Sequence, residues 1–118
     1  MTVTFNSRKL QKECSEPRAM VKAFGTAMSK KLKQRLMELS AADFLSDVSR
    51  LPPARCHELV NTNSMFSVDL VHPYRLLFRP ADEPIPLKAD GGIDLDYVKA
   101  ILIMGIKDTH AEKFKSGN

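Results

Sequence analysis

Seven polar side chains in this chain have the types needed for proton transfer and charge stabilisation: Arg55, His57, Glu58, Arg75, Arg79, Asp108 and His110. Two imidazoles, carboxylates and guanidiniums, if gathered on one surface, suit phosphodiester cleavage. One group takes a proton from the attacking hydroxyl, a second protonates the leaving oxygen, and arginine offsets charge on the phosphorus oxygens. An RNA strand supplies its own nucleophile in the 2′-hydroxyl, so that chemistry calls for no metal and no covalent protein intermediate. Each residue also has a plainer reading. His57 can cap or edge a core, Asp108 and His110 can point into water at a strand end, and the arginine stems can simply cover a sheet. Glu58 alternates to the face opposite His57, and His72, in a turn before Pro73, reads as structural.

The elements that must position these groups follow from hydropathy patterning. Val98 to Ile106, VKAILIMGI, is short, β-branched and apolar on both faces, which predicts a buried strand ending at Lys107-Asp108-Thr109-His110. Catalytic groups are well placed at the rim of such a rigid element. Thr2 to Phe5 predicts a short first strand on a sheet edge. Ser7 is placed to cap a short helix bearing Leu10 and Cys14, and Pro17 suits the first turn of the next. Met20, Phe24, Met28, Leu32 and Leu36 recur every four residues, predicting one long amphipathic helix. Its other face carries Lys30, Lys31, Lys33 and Arg35, either a solvated surface or a patch for phosphates or an acidic partner. Ser40-Ala-Ala-Asp43 has the pattern of a capping box for a third short helix, which ends at Pro52-Pro53.

After Pro53 the period changes from four to two. Cys56 to Val60 is predicted as a strand, Met65 to Val71 as a half-buried one, and Tyr74 to Arg79 as the next, with Leu76 and Phe78 inward. Residues 81–96 hold Pro84, Pro86, Gly91-Gly92 and five acids, the composition of a long loop insertion. The order of elements predicts an α+β domain, with N-terminal helices packed on one face of a small antiparallel sheet of about four strands.

The 118 residues, 43% of them hydrophobic, suffice for one core, so a single domain over residues 1–114 with a polar tail at 115–118 is expected. A net charge of +4 points weakly toward a nucleic-acid or acidic partner. Cys14 and Cys56 lack metal-like spacing, and no metal or cofactor is expected. Without an apolar run of membrane-spanning length or a secretory h-region, no membrane association is expected and a cytoplasmic location is.

Four short motifs, in this order, resemble the RelE/ParE superfamily of bacterial toxins, and within it the HigB-type plasmid-maintenance killer proteins. They are RCHEL (Arg55 to Leu59), the strand MFSVDLV, the arginine-led strand YRLLF (Tyr74 to Phe78) and the terminal GIKDTH (Gly105 to His110). The resemblance implies a RelE-like fold and cleavage of messenger RNA on the ribosome. It also implies a cognate antitoxin with a helix-turn-helix domain. It places catalytic roles on His57, Arg75, Asp108 and His110, and phosphate binding on Arg55. Arg79, Lys30, Lys31 and Lys33 are further candidates for RNA or phosphate binding on the ground of their charge. The chain departs from the family in having Thr109 where tyrosine is common, and in the length of its 81–96 segment. A relative of the ParE kind, which poisons DNA gyrase without cutting RNA, would generally lack the histidine and acid set, and a degenerate binding domain would keep only the fold.

Overall fold

The computed structural model describes residues 1–60 and 64–108. Strand β1 (Thr2–Phe5) leads into helices α1 (Arg8–Ser15), α2 (Pro17–Phe24), α3 (Thr26–Ala41) and α4 (Leu45–Ser49). A 3-10 turn, Pro52–Ala54, then delivers the chain to β2 (His57–Glu58), β3 (Phe66–Asp69), β4 (Tyr74–Pro80) and β5 (Ala100–Asp108). The Ser7 side chain accepts from the Leu10 N–H and caps α1, and Pro17 occupies the first turn of α2. Among the described residues no helix is long and apolar enough to cross a membrane.

The fold is α+β, but the sheet is five-stranded and mixed rather than four-stranded and antiparallel. Its order is β1-β5-β4-β3-β2. The meander β2 to β5 is antiparallel, and β1 adds to its far edge parallel to β5, with Thr2 beside Ala100 and Phe5 beside Ile103. Parallel neighbours need a long crossover, and here almost the whole chain intervenes.

The long helix predicted from the Met20 to Leu36 stripe is two helices. Gly25 interrupts it with φ +83° and ψ 169°, a conformation open essentially to glycine, while the apolar spacing carries on across the break. Strand β2 keeps only two of the five residues predicted, and α4 is capped by Asp47, whose carboxylate accepts from the Phe44 N–H at 3.1 Å, not by Ser40 or Asp43.

One core lies between the sheet and the helices. Phe66, Val68, Leu76, Phe78, Ile101 and Ile103 meet Met20, Leu32, Leu39, Leu45 and Val48 there. Phe66 and Phe78 stack with ring centroids 5.9 Å apart. β5 does not keep strict alternation. A register shift opposite Leu77 and Phe78, at Gly105 with φ +152°, lets Ile103 and Ile106 both face the core although they are three positions apart. The segment 81–96 contains only an isolated bridge, Leu87 to Ile93, yet it is tied down. The Asp82 carboxylate accepts from the Lys99 N–H at 3.1 Å and the Ala100 N–H at 3.1 Å, and the Leu95 carbonyl accepts from the Ser46 N–H at 3.0 Å.

Candidate functional site

On the sheet face away from the helices, the register aligns His57, Ser67, Leu77 and Gly105 in one row, and Asp69, Arg75 and Lys107 in the next. Ser67 and Asp69 of these rows meet Arg75. Its Nε donates to Ser67 Oγ at 2.6 Å, Nη2 donates to the Arg55 carbonyl at 2.6 Å and to the Ser67 carbonyl at 3.3 Å, and Nη1 donates to Asp69 Oδ1. With its side chain only 13% exposed, Arg75 is a fastener between β3, β4 and the turn before β2. Burial draws it below the ordinary guanidinium value and the Asp69 charge opposes that shift. Guanidinium stays charged in proteins regardless.

Arg55 is presented differently. The prolines set up the 3-10 turn, and Arg55 leaves it in the left-handed region, φ 46° and ψ 57°, uncommon for a residue with a Cβ. The turn is pinned from both sides, by Arg75 on the Arg55 carbonyl and by Arg35 Nη2 on the Pro53 carbonyl at 2.7 Å. The Arg55 side chain is 66% exposed and leans on Asp69 Oδ2 through a single 3.5 Å contact. It is therefore the guanidinium at this site that an incoming anion can recruit with little loss. Between Arg55 and His57, Cys56 is half-buried, and burial pushes its thiol up to about 11, with Arg75 opposing. It is a neutral packing group near pH 7, not a nucleophile.

The sequence-predicted site is brought together only in part. Arg55, His57 and Arg75 share one face, and Arg79 lies on the same face of β4, half-buried and registered with Leu102. Asp108 does not join them. It is registered with Tyr74, and both alternate to the helix-facing side shared by Leu76 and Ile106. β5 is moreover three strand spacings from β2, about 14 Å. Thr109 and His110 lie outside the described residues. Lys30, Lys31 and Lys33 belong to α3, in the helical layer behind the sheet, and Arg35 is not part of their surface. It is buried, bonded to Asp69 O at 2.7 Å and Glu38 Oε1 at 3.0 Å.

Sequence reasoning missed Ser67 and Asp69, which organise both arginines. The signal was present: two polar residues two apart on β3 face Arg75 across a hairpin. Beside the cluster lies a hollow of about 240 Å³ lined by Arg55, Asp69, His72, Tyr74 and Arg75 among others. A larger, more open hollow of about 860 Å³ sits at the opposite end, where Asp43, Asp82 and Glu83 outnumber Lys99, the wrong charge for phosphate. Among the described residues no group of three or more histidine, cysteine or acidic side chains is arranged to hold a metal ion. Comparison with protein-family models finds none that matches the chain, and comparison with curated proteins finds no match either.

Proposed function

We propose that this chain is the toxin of a type II toxin–antitoxin pair, of the HigB-type RelE/ParE kind, and that it cleaves messenger RNA on the ribosome. The observation carrying this reading is the pairing of an exposed, lightly held guanidinium, Arg55, with the exposed imidazole of His57 two residues on, on the sheet face free of helices. Arg55 meets the scissile phosphate, Arg75 fixes the turn that presents it, and His57 transfers a proton. The 2′-oxygen attacks phosphorus as its proton leaves, and the 5′-oxygen departs with a proton from a second group, giving a 2′,3′-cyclic phosphate and a 5′-hydroxyl. The sequence nominates His110 for that second group. A helix-turn-helix antitoxin is the cognate partner in this reading.

A catalytically inert member of the same kind is the second reading, favoured by Asp108 facing away from His57. Mapping transcript ends on translating ribosomes decides between them. The endonuclease reading expects codon-phased cuts that disappear with His57→Ala and Arg55→Ala. Intact transcripts with wild-type protein refute it.

A further inference from the structure

The chain carries a net charge of +4, yet its segment 81–96 holds five carboxylates, Asp82, Glu83, Asp90, Asp94 and Asp96, against one cation, Lys88. This segment forms one wall of the open 860 Å³ hollow, and the end of α3 with the turn after it forms another. Most of the lining is apolar, from small residues and prolines such as Ala42, Ala81, Pro84 and Pro86. Tyr97 lines it while 63% exposed, and its ring meets that of Phe44, itself 36% exposed, edge-on at 6.4 Å. Paired aromatic rings left in water beside an apolar groove mark a docking surface. The groove is also held in shape, because the Leu95 and Val98 carbonyls accept from the Ser46 and Leu45 N–H groups, each at 3.0 Å.

The charges around the groove divide into spent and unspent. Asp82 is taken by the Lys99 and Ala100 N–H groups, and the Met1 amino group donates to the Ser40 and Ala42 carbonyls. Asp43 and Glu83 are exposed and make no hydrogen bond or ion pair among the described residues. Two unspent carboxylates beside exposed aromatic rings suit a cation carried on an apolar body: the carboxylates accept charged hydrogen bonds, and a ring face takes a guanidinium or ammonium. A phosphate strand is repelled here. A small polyamine neutralises the acids but leaves the alanines, the prolines and Phe44 uncovered. At 860 Å³, within the ~300–1,000 Å³ of ligand pockets, the groove admits a few side chains of a partner and not a whole domain.

We propose that this groove docks a basic, partly apolar segment of another protein, with an arginine or lysine held by Asp43 and Glu83 and an apolar neighbour on Tyr97 and Phe44. The inference goes beyond the RNA-directed reading and holds whether or not the chain cuts RNA.

The chain has two tyrosines and no tryptophan, so a Tyr74→Phe protein carries Tyr97 as its sole tyrosine fluorophore. Titrating that protein with a heptapeptide of alternating arginine and leucine is expected to change the tyrosine emission to saturation. Fluorescence anisotropy of the labelled peptide is expected to show binding about 2- to 30-fold weaker to the Asp43→Asn, Glu83→Gln double variant, the range of two exposed ion pairs. With Tyr97→Ala the loss is expected to be about 2- to 5-fold, that of one exposed cation–π contact. The double variant is expected to keep the wild-type urea midpoint, since neither carboxylate bonds to the fold. Spermine and a heptapeptide of alternating glutamate and leucine are expected to bind at least tenfold more weakly. No binding, equal affinity for the acidic peptide, or an affinity that the double variant leaves unchanged overturns the proposal. So does peptide saturation without a change in Tyr97 emission. Spermine binding as tightly as the basic peptide overturns it in favour of a polyamine site, and a salt-sensitive oligomer of the protein alone that the double variant dissolves overturns it in favour of a second copy of this chain.

Discussion

Arg35, buried on α3, donates from Nη2 to the carbonyl of Pro53 at 2.7 Å, so a helix in the layer behind the sheet grips the turn that carries Arg55 on the sheet's other side. Its Nε holds the Asp69 carbonyl and its Nη1 holds Glu38. Replacing it by methionine keeps the stem but strands two carbonyls and a half-buried carboxylate. Arg35→Met is expected to cost about 3 kcal/mol or more, read as a lower urea midpoint with an unchanged slope.

The two site arginines separate in the same way under mutation. Arg75→Ala takes the donor from Ser67 and the Arg55 carbonyl and leaves Asp69 only its long Arg55 contact, and is expected to lower stability by about 2–4 kcal/mol. Any accompanying loss of activity then reports on folding as well as chemistry. Arg55→Ala removes an exposed group with one long ion-pair contact, so stability is expected to fall by less than about 1 kcal/mol. On the proposed reading its effect falls on RNA affinity, and the slope of log affinity against log salt is expected to flatten by about 0.7, one single-strand phosphate contact. Paired unfolding curves and salt titrations check both expectations.

Much of this architecture is legible in the sequence because it is local. Ser7 caps α1, Pro17 opens α2, and the alternation of Tyr74 to Arg79 marks β4 to within a residue, since capping and pleat are decided by near neighbours. What is not legible is set by distant partners. Arg35 reads as one more cation on a basic helix face until the Pro53 and Asp69 carbonyls arrive from elsewhere in the chain. The bulge at Gly105 reverses the alternation of β5, so the helix-facing position of Asp108 follows from a backbone irregularity that hydropathy does not register. The pairing of β1 with β5 depends on two segments at opposite ends of the described structure.

Gly25 gives a test of backbone strain free of packing effects. A Cβ added there would meet no atom within 4 Å, yet φ is +83° and ψ 169°. Gly25→Ala is expected to destabilise by about 1–3 kcal/mol through conformational strain alone, visible as a lower thermal midpoint with unchanged helix content. An unchanged midpoint would mean that the two helices can merge into the single one that their apolar stripe suggests.

The thiols predict an alkaline weakness. Burial raises Cys14, with Glu13 adding to the effect, and raises Cys56 against Arg75, each from 9.0 to about 11. A thiol that ionises later in the folded state than in the unfolded state stabilises the fold fully below pH 9. That contribution is lost as pH rises through 11, because the unfolded chain has already released its protons. Stability from urea unfolding is expected to fall between pH 9 and 11 by on the order of 2 kcal/mol per cysteine. Cys14→Ala should flatten that slope, whatever its cost at neutral pH. At pH 8, thiol reagents should modify the native protein slowly.

The hydroxyl of Thr4 on β1 reaches the Ile101 carbonyl on β5 across 97 positions of sequence, at 3.2 Å. Closing so large a loop adds little to the equilibrium cost, about 0.6 kcal/mol for each doubling of length, but it delays folding. Until β5 is in place between β1 and β4, β1 has no strand to pair with and the core lacks Ile101 and Ile103.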